Sequence, residues 1–390
     1  MRGHIKKRGK NSYSLVFDLG YDSEGHRKQK WITVHGDKKK AQSELVRILN
    51  ELNTGTYVEP KKMTFAEYLQ RWISDYASHS LKPRTFETYQ QIIEEHITPY
   101  LGMIQLTRLQ PLHLQDYYAA KLEDGRMDGK DGGLAAGTVL NHHRLLHKAL
   151  ATAVKWGLVG RNVADAVEPP QPHRKEGRML TQDEARRFLA VASQNRLYAL
   201  FLLAMTTGMR QAEIVGLRWH DVDMERRTIA VQQTVQKRGK NVIVQDTKTA
   251  SSRRLIPISK HVAEALKAIG ERRDLERAVQ KERYCEDYPD LVFVTLRGTP
   301  ISGRNLVRTF KTLLGKAGLP DDIRFHDLRH TSASLLLAAG VHPKVVSERL
   351  GHSGIRITMD TYSHFMPTLQ EGATATLDDI LFPKAQETSR

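Results

Sequence analysis

The sequence predicts a mainly helical α+β protein in which small β-sheets accompany the helices. Its 390 residues, 40% of them hydrophobic, are enough for two or three packed cores. Short segments rich in β-branched residues lie at the N-terminus and again past the middle, and amphipathic helical spacing fills most of the rest. The predicted parts are a small sheet-and-helix domain, an all-helical domain, a linker, a mostly helical domain with a small antiparallel sheet, and a tail: 1–55, 63–168, 169–178, 179–366 and 367–390.

The composition favours a polyanionic partner, with nucleic acid first among the candidates. Lys and Arg total 60 against 44 Asp and Glu, which gives a formal charge of +16 and a pI near 9.7. A basic but otherwise ordinary enzyme has the same balance, so the positions of the charges must decide. The single cysteine, Cys285, excludes an internal disulfide and a Cys-based zinc module.

The sequence also favours the cytoplasm over the membrane or the cell exterior. The N-terminus is charged and lacks the long apolar core of a signal peptide. No segment approaches the ~18 uninterrupted apolar residues of a membrane span. We therefore expect a cytoplasmic, nucleoid-associated protein, encoded by a bacterium or a phage, with no membrane partner.

The predicted N-terminal domain concentrates basic charge on a small sheet. Residues 1–62 carry 14 Lys and Arg against 7 acidic residues. Three strands are predicted, and a helix that begins after the N-cap residue Asp37 covers one face of their sheet. The other face is left to Lys and Arg, which can enter a DNA groove or form a solvated charged surface. The strands are His4–Lys7, Tyr13–Leu19 and Lys30–Val34, and the candidate DNA contacts are Lys6, Lys7, Arg8, Lys28 and Lys30.

The second predicted domain is all-helical. It opens with a capping box formed by Thr64 and Glu67, and further helices are predicted at 84–97, 111–123 and 137–156. Basic residues on or beside these helices can follow a phosphate backbone, although single basic residues on helices are commonly just solvated. The candidate DNA contacts are Lys82, Arg84, Arg144 and Lys148.

The third predicted domain begins after a charged, proline-containing stretch at 168–178 that is typical of a linker. A second capping box, Thr181 and Glu184, opens its first helix. Helical spacing then gives way to three β-branched segments and returns from Val262 onward. The predicted strands are Thr228–Gln236, Val242–Asp246 and Arg253–Ile258.

Four stretches of this domain carry candidate catalytic residues, and each is ordinary when taken alone. Arg210 and Glu213 fit a surface ion pair on a helix. His326 and Arg329 share a helix face and can point at one anion, whereas His326 and His330 have a spacing that suggests zinc. An Asp stands where the zinc motif requires Glu, and neighbouring arginines would repel a cation, so we expect no metal. The stretches are TTGMRQAEIVGLRW (206–219), TKTASSRRLIPI (247–258), HDLRHTSASLLLAAG (326–340) and LGHSGIRITMDTYSHF (350–365).

Together, in this order and at this spacing, the four stretches strongly resemble the catalytic domain of the tyrosine recombinase, or phage integrase, family. The resemblance covers 179–366 closely. Residues 63–168 are similar to the family's core-binding domain and residues 1–55, more loosely, to its arm-binding domain. The matching positions are an Arg in TGMR, a Lys in a β-hairpin turn, an H-x-x-R pair, the His of LGH and a Tyr ten residues later: Arg210, Lys248, His326, Arg329, His352 and Tyr362.

These residue types suit phosphoryl transfer to a tyrosine. A phenol with a pKa near ~10 is a weak nucleophile at neutral pH, so the phosphate must be activated. Arg210 and Arg329 can activate it by bidentate bonds to the nonbridging oxygens, and then no metal is required. Histidines suit acid–base work, and by resemblance His326 helps to deprotonate Tyr362. The ammonium of Lys248 can protonate the departing 5′ oxygen. The residues expected to support this site are Glu213, Asp221 and His330.

The resemblance implies a mobile-element integrase that integrates and excises DNA through a 3′-phosphotyrosine and a Holliday junction. It implies a homotetramer on double-stranded DNA with core and arm attachment sites, and it leaves room for DNA-bending and excision factors. The phosphotyrosyl bond retains the energy of the broken phosphodiester, so we expect neither ATP nor another cofactor. The sequence accordingly contains no P-loop motif.

Three other functions are alternatives at this point. A type IB topoisomerase has a closely similar constellation and a Xer-type resolvase is nearer still, but the basic module at 1–55 favours an integrase over both. A DNA-binding regulator that kept only the fold is the third, and the six matching positions argue against it.

The tail contains apolar residues that dock either on a neighbouring subunit or on their own chain. They are Leu369, Leu377, Ile380, Leu381 and Phe382.

Overall fold

The computed structural model describes residues 3–21, 24–54, 62–172, 177–238, 241–246 and 253–362, and in the tail 374, 377, 378 and 380–382. The chain forms two compact units, Met1–Arg174 and Lys175–Arg390, and their division falls inside the predicted linker. Helices dominate and small antiparallel sheets accompany them, which confirms the predicted fold class. Within the described ranges, no helix is both long and apolar enough to cross a bilayer.

The first unit begins with a three-stranded antiparallel sheet backed by one helix, α1 (Lys38–Asn53). The Asp37 side chain accepts a hydrogen bond from the Lys40 amide at 2.8 Å, so Asp37 is the N-cap of α1 as predicted. The strands, paired in sequence order, are β1 (Gly3–Gly9), β2 (Ser12–Tyr21) and β3 (Arg27–His35). The buried residues that join sheet and helix are Leu15, Phe17, Ala41, Leu45 and Ile48.

The register of this sheet divides its basic residues between the two faces. Lys7 and Lys30 lie directly opposite Tyr13 and Phe17 of β2, whose side chains pack toward α1. Because paired residues share a face of the sheet and alternate residues face opposite sides, Lys7 and Lys30 lie on the α1 side. The open face is therefore less basic than the sequence predicts. It also carries an aromatic residue, Trp31, which is 48% exposed and lies 5.1 Å from the ammonium of Lys6.

A helical bundle follows in the first unit. Thr64 and Glu67 form the predicted capping box, since each side chain accepts a hydrogen bond from the other's backbone amide. The bundle core is rich in aromatic rings, with Tyr68, Trp72 and Tyr117 fully buried. The helices are α2 (Phe65–Trp72), α3 (Ser78–Ser80), α4 (Pro83–Ile92), α5 (Thr98–Leu101), α6 (Pro111–Glu123) and α7 (Ala136–Lys155).

Two π-helical turns interrupt this bundle, and the second falls inside the helix that the sequence predicts at 84–97. Ile73–Ala77 joins α2 to α3, and Ile93–Ile97 joins α4 to α5. A π turn inserts an extra residue, so the buried positions after it no longer follow the 3.6-residue period. The second turn carries His96, whose ring centroid lies 5.0 Å from that of His142 on α7 in the bundle core.

The second unit is mostly helical. Its helices are α8 (Gln182–Ala192), α9 (Tyr198–Thr207), α10 (Gln211–Val215), α11 (Lys260–Gln280), α12 (Gly303–Lys316), α13 (Asp327–Ala338), α14 (Pro343–Leu350) and α15 (Ile355–Tyr362). The predicted capping box of Thr181 and Glu184 opens α8. Helix α9 is buried on nearly every side, and the rings of Phe188 and Phe310 pack against Phe201 at its centre. This core fixes the end of α9, where the candidate site begins.

The strands of the second unit form two sheets instead of the one that the sequence predicts. The first sheet has the order β4 (Val222–Asp223), β5 (Thr228–Val231), β8 (Arg254–Pro257), and the second pairs β6 (Gln233–Arg238) with β7 (Asn241–Asp246). The described strands that precede and follow 247–252, β7 and β8, therefore pair with β6 and β5 and not with each other. Alternating β-branched residues show that strands exist but not which strands pair.

Candidate active site

Arg210 and Glu213 lie where the chain turns from α9 into α10. Helix α9 ends at Gly208, whose φ of +64° is a left-handed conformation that glycine adopts without strain. Arg210 is the N-cap of α10, and the Glu213 carboxylate accepts the Arg210 amide at 2.9 Å and its Nη1 at 2.8 Å. Glu213 is 2% exposed, so this pair is not the surface ion pair that the sequence allows. Nη2 of Arg210 also donates to the Gly351 carbonyl at 3.3 Å.

A third arginine, Arg254 on β8, completes this ion-pair group. Its Nη2 donates to Oε2 of Glu213 at 2.9 Å and its Nε donates to the Arg349 carbonyl at 2.7 Å. Burial opposes ionisation of Glu213, but the cations of Arg254 and Arg210 outweigh it and lower the pKa of that carboxyl. Sequence reasoning missed Arg254, although the Arg-Arg pair in TKTASSRRLIPI was a signal that could have found it.

Arg329 on α13 is a buried cation with an incomplete set of partners. Its side chain is almost fully enclosed, and its Nη1 donates to the Gly208 carbonyl at 2.7 Å. Its Nη2 is buried and has no hydrogen-bond partner among the described residues. Burial, together with the cation of Arg210, lowers the pKa of Arg329 to about 9. The guanidinium is still charged at neutral pH, and an anion would stabilise it.

His326 and His330 lie one helical turn apart at the start of α13. His326 is the N-cap residue, and the two rings meet edge to face with centroids 5.1 Å apart. His326 is an exposed residue, and desolvation of its ring by the surrounding protein, reinforced by the charges of His330 and Arg329, lowers its pKa to about 4. Burial likewise lowers the pKa of His330, against the opposing carboxylate of Asp327. Both imidazoles are therefore neutral at pH 7 and able to accept a proton.

Tyr362 is the last residue of α15 and is 1% exposed. Its hydroxyl lies 2.6 Å from Nδ1 of His330. Burial raises the pKa of Tyr362 to about 12, although the Arg329 cation acts in the opposite direction. The sequence predicts His330 only as a supporting residue, and the structure places its ring nitrogen against the predicted nucleophile.

His352 follows Gly351, the left-handed cap of α14, and is half-buried. Its Nδ1 lies 2.8 Å from Oγ1 of Thr358 on α15. Burial, with the cations of Arg329 and Arg210, lowers the pKa of His352 to about 4. The contacts and mutual electrostatic effects group five of the six predicted catalytic residues in one place. These are Arg210, His326, Arg329, His352 and Tyr362.

Two further predicted residues, Lys248 and Asp221, have no described contact with this group. Lys248 lies outside the described residues, so its placement stays a prediction. Asp221 is buried, but its carboxylate accepts Nε and Nη2 of Arg218 at 2.7 and 3.1 Å and therefore orients that arginine. In the described part of the chain, no cluster of three or more His, Cys, Asp or Glu could hold a metal ion.

The predicted DNA contacts lie at exposed or half-buried positions. Lys82 is the N-cap of α4, and Arg84 lies in the first turn of that helix. On α7, Nη1 of Arg144 donates to the Asn141 side chain at 3.3 Å, and the ammonium of Lys148 lies 5.8 Å from the centroid of the nearby Tyr76 ring. The exposed candidates are Lys6, Lys7, Arg8, Lys28, Lys82, Arg84 and Arg144, and the half-buried ones are Lys30 and Lys148.

Two models of known protein families match parts of the chain, and a curated relative aligns with nearly its whole length. The model of the phage integrase family matches residues 178–368, and that of the phage integrase N-terminal SAM-like domain matches 64–122. A tyrosine recombinase XerC-like protein of Caldanaerobacter subterraneus is 30% identical, over 96% of this chain and 97% of its own length. The chain belongs to the phage integrase family of tyrosine recombinases.

Other relatives of this tyrosine recombinase are named integrases. The integrase of Streptomyces ambofaciens is 28% identical over 91% of this chain and 90% of its own, and the ICEBs1 integrase of Bacillus subtilis is 24% identical over 97% and 100%. The chain is thus a tyrosine-type site-specific DNA recombinase.

Solved structures share the fold. The Tn1549 transposon integrase, in complex with transposon right end DNA, has a TM-score of 0.66 at 22% identity and covers 82% of this chain and 100% of its own. A lambda integrase dimer bound to a core site has a TM-score of 0.56 at 19% identity and covers 93% and 94%.

Proposed function

We propose that this recombinase is a mobile-element integrase in which Tyr362 attacks a DNA phosphate held by Arg210 and Arg329. The observation that carries the proposal is the buried Arg329 guanidinium, whose Nη2 lacks a partner among the described residues. A nonbridging phosphate oxygen would satisfy that nitrogen and offset its charge. Arg210 is close enough for its cation to lower the pKa of Arg329, so one phosphate can accept from both guanidinium groups.

The remaining side chains have distinct roles in this proposal. Glu213, held by Arg254, fixes the position of Arg210 and balances its charge. His326 and His352 face the phosphate as neutral imidazoles, and Lys248 protonates the departing 5′ oxygen. The product is a 3′-phosphotyrosyl bond, which a 5′-hydroxyl of another duplex can attack to reseal the strand without a cofactor.

We also infer that the predicted domains divide the DNA contacts between them. Residues 1–55 bind arm-type sites, 63–168 bind core sites, and 179–366 perform the chemistry after the 169–178 linker, so the protein acts at the nucleoid.

The tail at 367–390 docks on a neighbouring subunit of a homotetramer. Lambda integrase, a relative in fold, has been solved as a tetramer on a Holliday junction. Exposed apolar tail residues support this docking, and they are Leu377, Ile380, Leu381 and Phe382. DNA-bending and excision factors are the further partners that this function implies.

Covalent trapping tests the proposed chemistry. Nicked duplexes tiled across the DNA that flanks the coding region serve as suicide substrates, and the wild-type protein should form an SDS-resistant adduct with one of them. Tyr362→Phe should form none. Tyr284→Phe, which removes a hydroxyl bonded to Arg273, should form as much as the wild type. An adduct with Tyr362→Phe contradicts the nucleophile assignment, and the lack of any wild-type adduct contradicts the function.

A second candidate function is a resolvase that recombines two copies of one site. The XerC-like relative, which aligns with 96% of this chain, favours it. Recombination in vitro separates the two functions, because an integrase joins two attachment sites of different sequence whereas a resolvase requires identical ones. A topoisomerase would relax supercoils and give no recombinant product with either pair.

A further inference from the structure

We propose that His330 is the group that takes the proton from Tyr362 when the phosphotyrosyl bond forms. The proposal rests on the proposed function, because it assigns a further catalytic residue to the same reaction. Nδ1 of His330 lies 2.6 Å from the phenolic oxygen. His326, the base that the sequence suggests, makes no hydrogen bond to that hydroxyl in the described structure and contacts His330 edge to face instead.

The protonation states of the two partners fit a donor–acceptor pair. Burial lowers the pKa of His330 and raises the pKa of Tyr362, so both side chains are neutral at pH 7. A neutral imidazole whose Nδ1 is bare carries its proton on Nε2, and the phenol then donates to Nδ1. This hydrogen bond is the path along which the proton leaves when the oxygen approaches phosphorus.

The charges around His330 make the transfer reversible. The buried Asp327 carboxylate favours the imidazolium, whereas the cations of Arg324 and Arg329 oppose it. The ring of His326, which meets that of His330 edge to face, is neutral at pH 7. A phosphate bound to Arg329 would cancel part of that opposition and shift the balance toward proton transfer. Release of the phosphate would restore it, which returns the proton to the phenolate when the strand is resealed.

The step balances as a proton transfer coupled to phosphoryl transfer. The O–H bond of Tyr362 breaks, its proton goes to Nδ1 of His330, and a new bond forms between the phenolic oxygen and phosphorus. The bond from phosphorus to the 5′ oxygen breaks, and that oxygen takes a proton from the Lys248 ammonium. Resealing reverses each step, so neither residue is consumed.

Single-turnover cleavage by the full-length protein, at saturating concentration on the nicked duplex that traps best, tests the assignment. His330→Asn keeps a polar group near the position of Nδ1 but cannot hold the proton, so cleavage at pH 7 should slow by about 10²-fold or more. His330→Ala should slow comparably and recover when imidazole is added. The matched control His143→Asn removes another His–Tyr hydrogen bond, 2.9 Å to Tyr118, and should keep the wild-type rate.

The pH profile and the leaving group give readouts that a structural role would not change. The wild-type rate should rise with pH up to the pKa of His330 and then level off, whereas the His330→Asn rate should keep rising as hydroxide replaces the imidazole. A substrate with a bridging 5′ sulfur needs no protonated leaving group. It should restore cleavage by Lys248→Ala but not by His330→Asn.

Two results overturn the assignment. One is cleavage by His330→Asn at the wild-type rate, and the other is a cleavage defect that neither a higher pH nor added imidazole relieves. Failure of the proposed function gives a different result, because the wild-type protein would then form no adduct on any duplex.

Discussion

The arginines of the candidate active site differ in how the protein satisfies their hydrogen-bonding groups. Arg210 and Arg254 share the buried carboxylate of Glu213, whereas Arg329 has a backbone carbonyl on one nitrogen and no partner on the other within the described structure. A buried guanidinium in that state costs the fold desolvation energy. The chain therefore has a site of positive charge that is less stable without a bound anion than with one.

Replacing Arg329 with lysine should remove most of the cleavage activity. Arg329→Lys keeps the charge but loses the fork that can bind two phosphate oxygens, so single-turnover cleavage should fall by roughly 10²–10³-fold. Arg277→Lys, on an exposed arginine paired with Glu286, is the matched control and should cleave normally. A fully active Arg329→Lys protein would show that the guanidinium does not bind the phosphate.

Neutralising Glu213 should lower stability in a pH-dependent way. Glu213→Gln leaves Arg254 buried without its carboxylate, which costs on the order of 3–5 kcal/mol at pH 7. Because the folded pKa of Glu213 is lowered, its contribution is complete above the unfolded value of about 4.5 and disappears as the pH falls through the folded value. In urea unfolding from pH 7 to pH 3, the free energies of unfolding of Glu213→Gln and the wild type should converge as the pH falls. Glu286→Gln should differ little from wild type at any pH.

The sequence could predict most of the site's chemistry but not all of its contacts. The resemblance of four stretches to the tyrosine recombinase family marked Arg210, His326, Arg329, His352 and Tyr362 as candidates, and their residue types suit phosphoryl transfer. Residues that act through burial are harder to find: the pairing of Arg254 with Glu213 spans 41 positions, and that of His330 with Tyr362 spans 32. Helical spacing contains no information about such contacts.

At the scale of elements, local signals were sufficient where the cause is local. The capping boxes at Thr64 and Thr181 involve residues three positions apart, and both formed as predicted. The π turns at Ile73–Ala77 and Ile93–Ile97 were missed because they are extra residues accommodated by packing in the bundle. The two sheets of the second unit were missed because strand pairing is decided by residues distant in sequence.

The capping box of α2 gives a measurable contribution to stability. Thr64→Ala removes the acceptor of the Glu67 amide at the start of the helical bundle and should lower the free energy of unfolding by about 1 kcal/mol. Thr64→Ser keeps the hydroxyl and is the matched control. Equal melting temperatures for Thr64→Ala and Thr64→Ser would mean that the box contributes nothing.

The buried histidine pair should make the helical bundle sensitive to acid. Burial lowers the pKa of His142 to about 4, below its unfolded value of 6.5, and lowers the pKa of His96 in the same direction. Stability should therefore be complete above pH 6.5 and fall as the pH drops toward 4, by roughly 3 kcal/mol for His142. His142→Gln should flatten this dependence in denaturant unfolding, while the exposed control His79→Gln should not. A wild-type stability that is constant between pH 6.5 and 4 would contradict the prediction.

For the whole molecule, composition predicted the polyanionic partner, and the pattern along the chain predicted the fold class. The alternation of β-branched and helical segments was enough to place small sheets among helices. Composition could not show which face of a sheet carries the charge: the register turns Lys7 and Lys30 toward α1 and leaves Trp31 on the open face. Surface charge is therefore a weaker guide to a binding face than to a binding partner.

DNA binding by the full chain should depend strongly on salt. The chain has a net charge of +16, and each DNA phosphate that a Lys or Arg neutralises releases a counterion. If six to ten phosphates are neutralised, the affinity for DNA should fall by roughly 10³–10⁵-fold between 50 and 200 mM salt. Lys82→Ala should reduce the slope of log affinity against log salt by about one, as should Arg84→Ala. Lys316→Ala, at the end of α12, is the comparison variant. An unchanged slope for both would remove these residues from the DNA surface.

The burial of Tyr362 bears on how the protein avoids cleaving DNA away from its target sites. A cationic protein that scans DNA meets a very large number of phosphodiesters, and a permanently accessible nucleophile would risk a nick at each encounter. With the ring 1% exposed, a phosphate that reaches Arg329 by chance finds no free hydroxyl beside it. On the proposed function, breakage then requires a bound state that uncovers the end of α15. The free energy of that uncovering would then limit how often bystander sequences are cut.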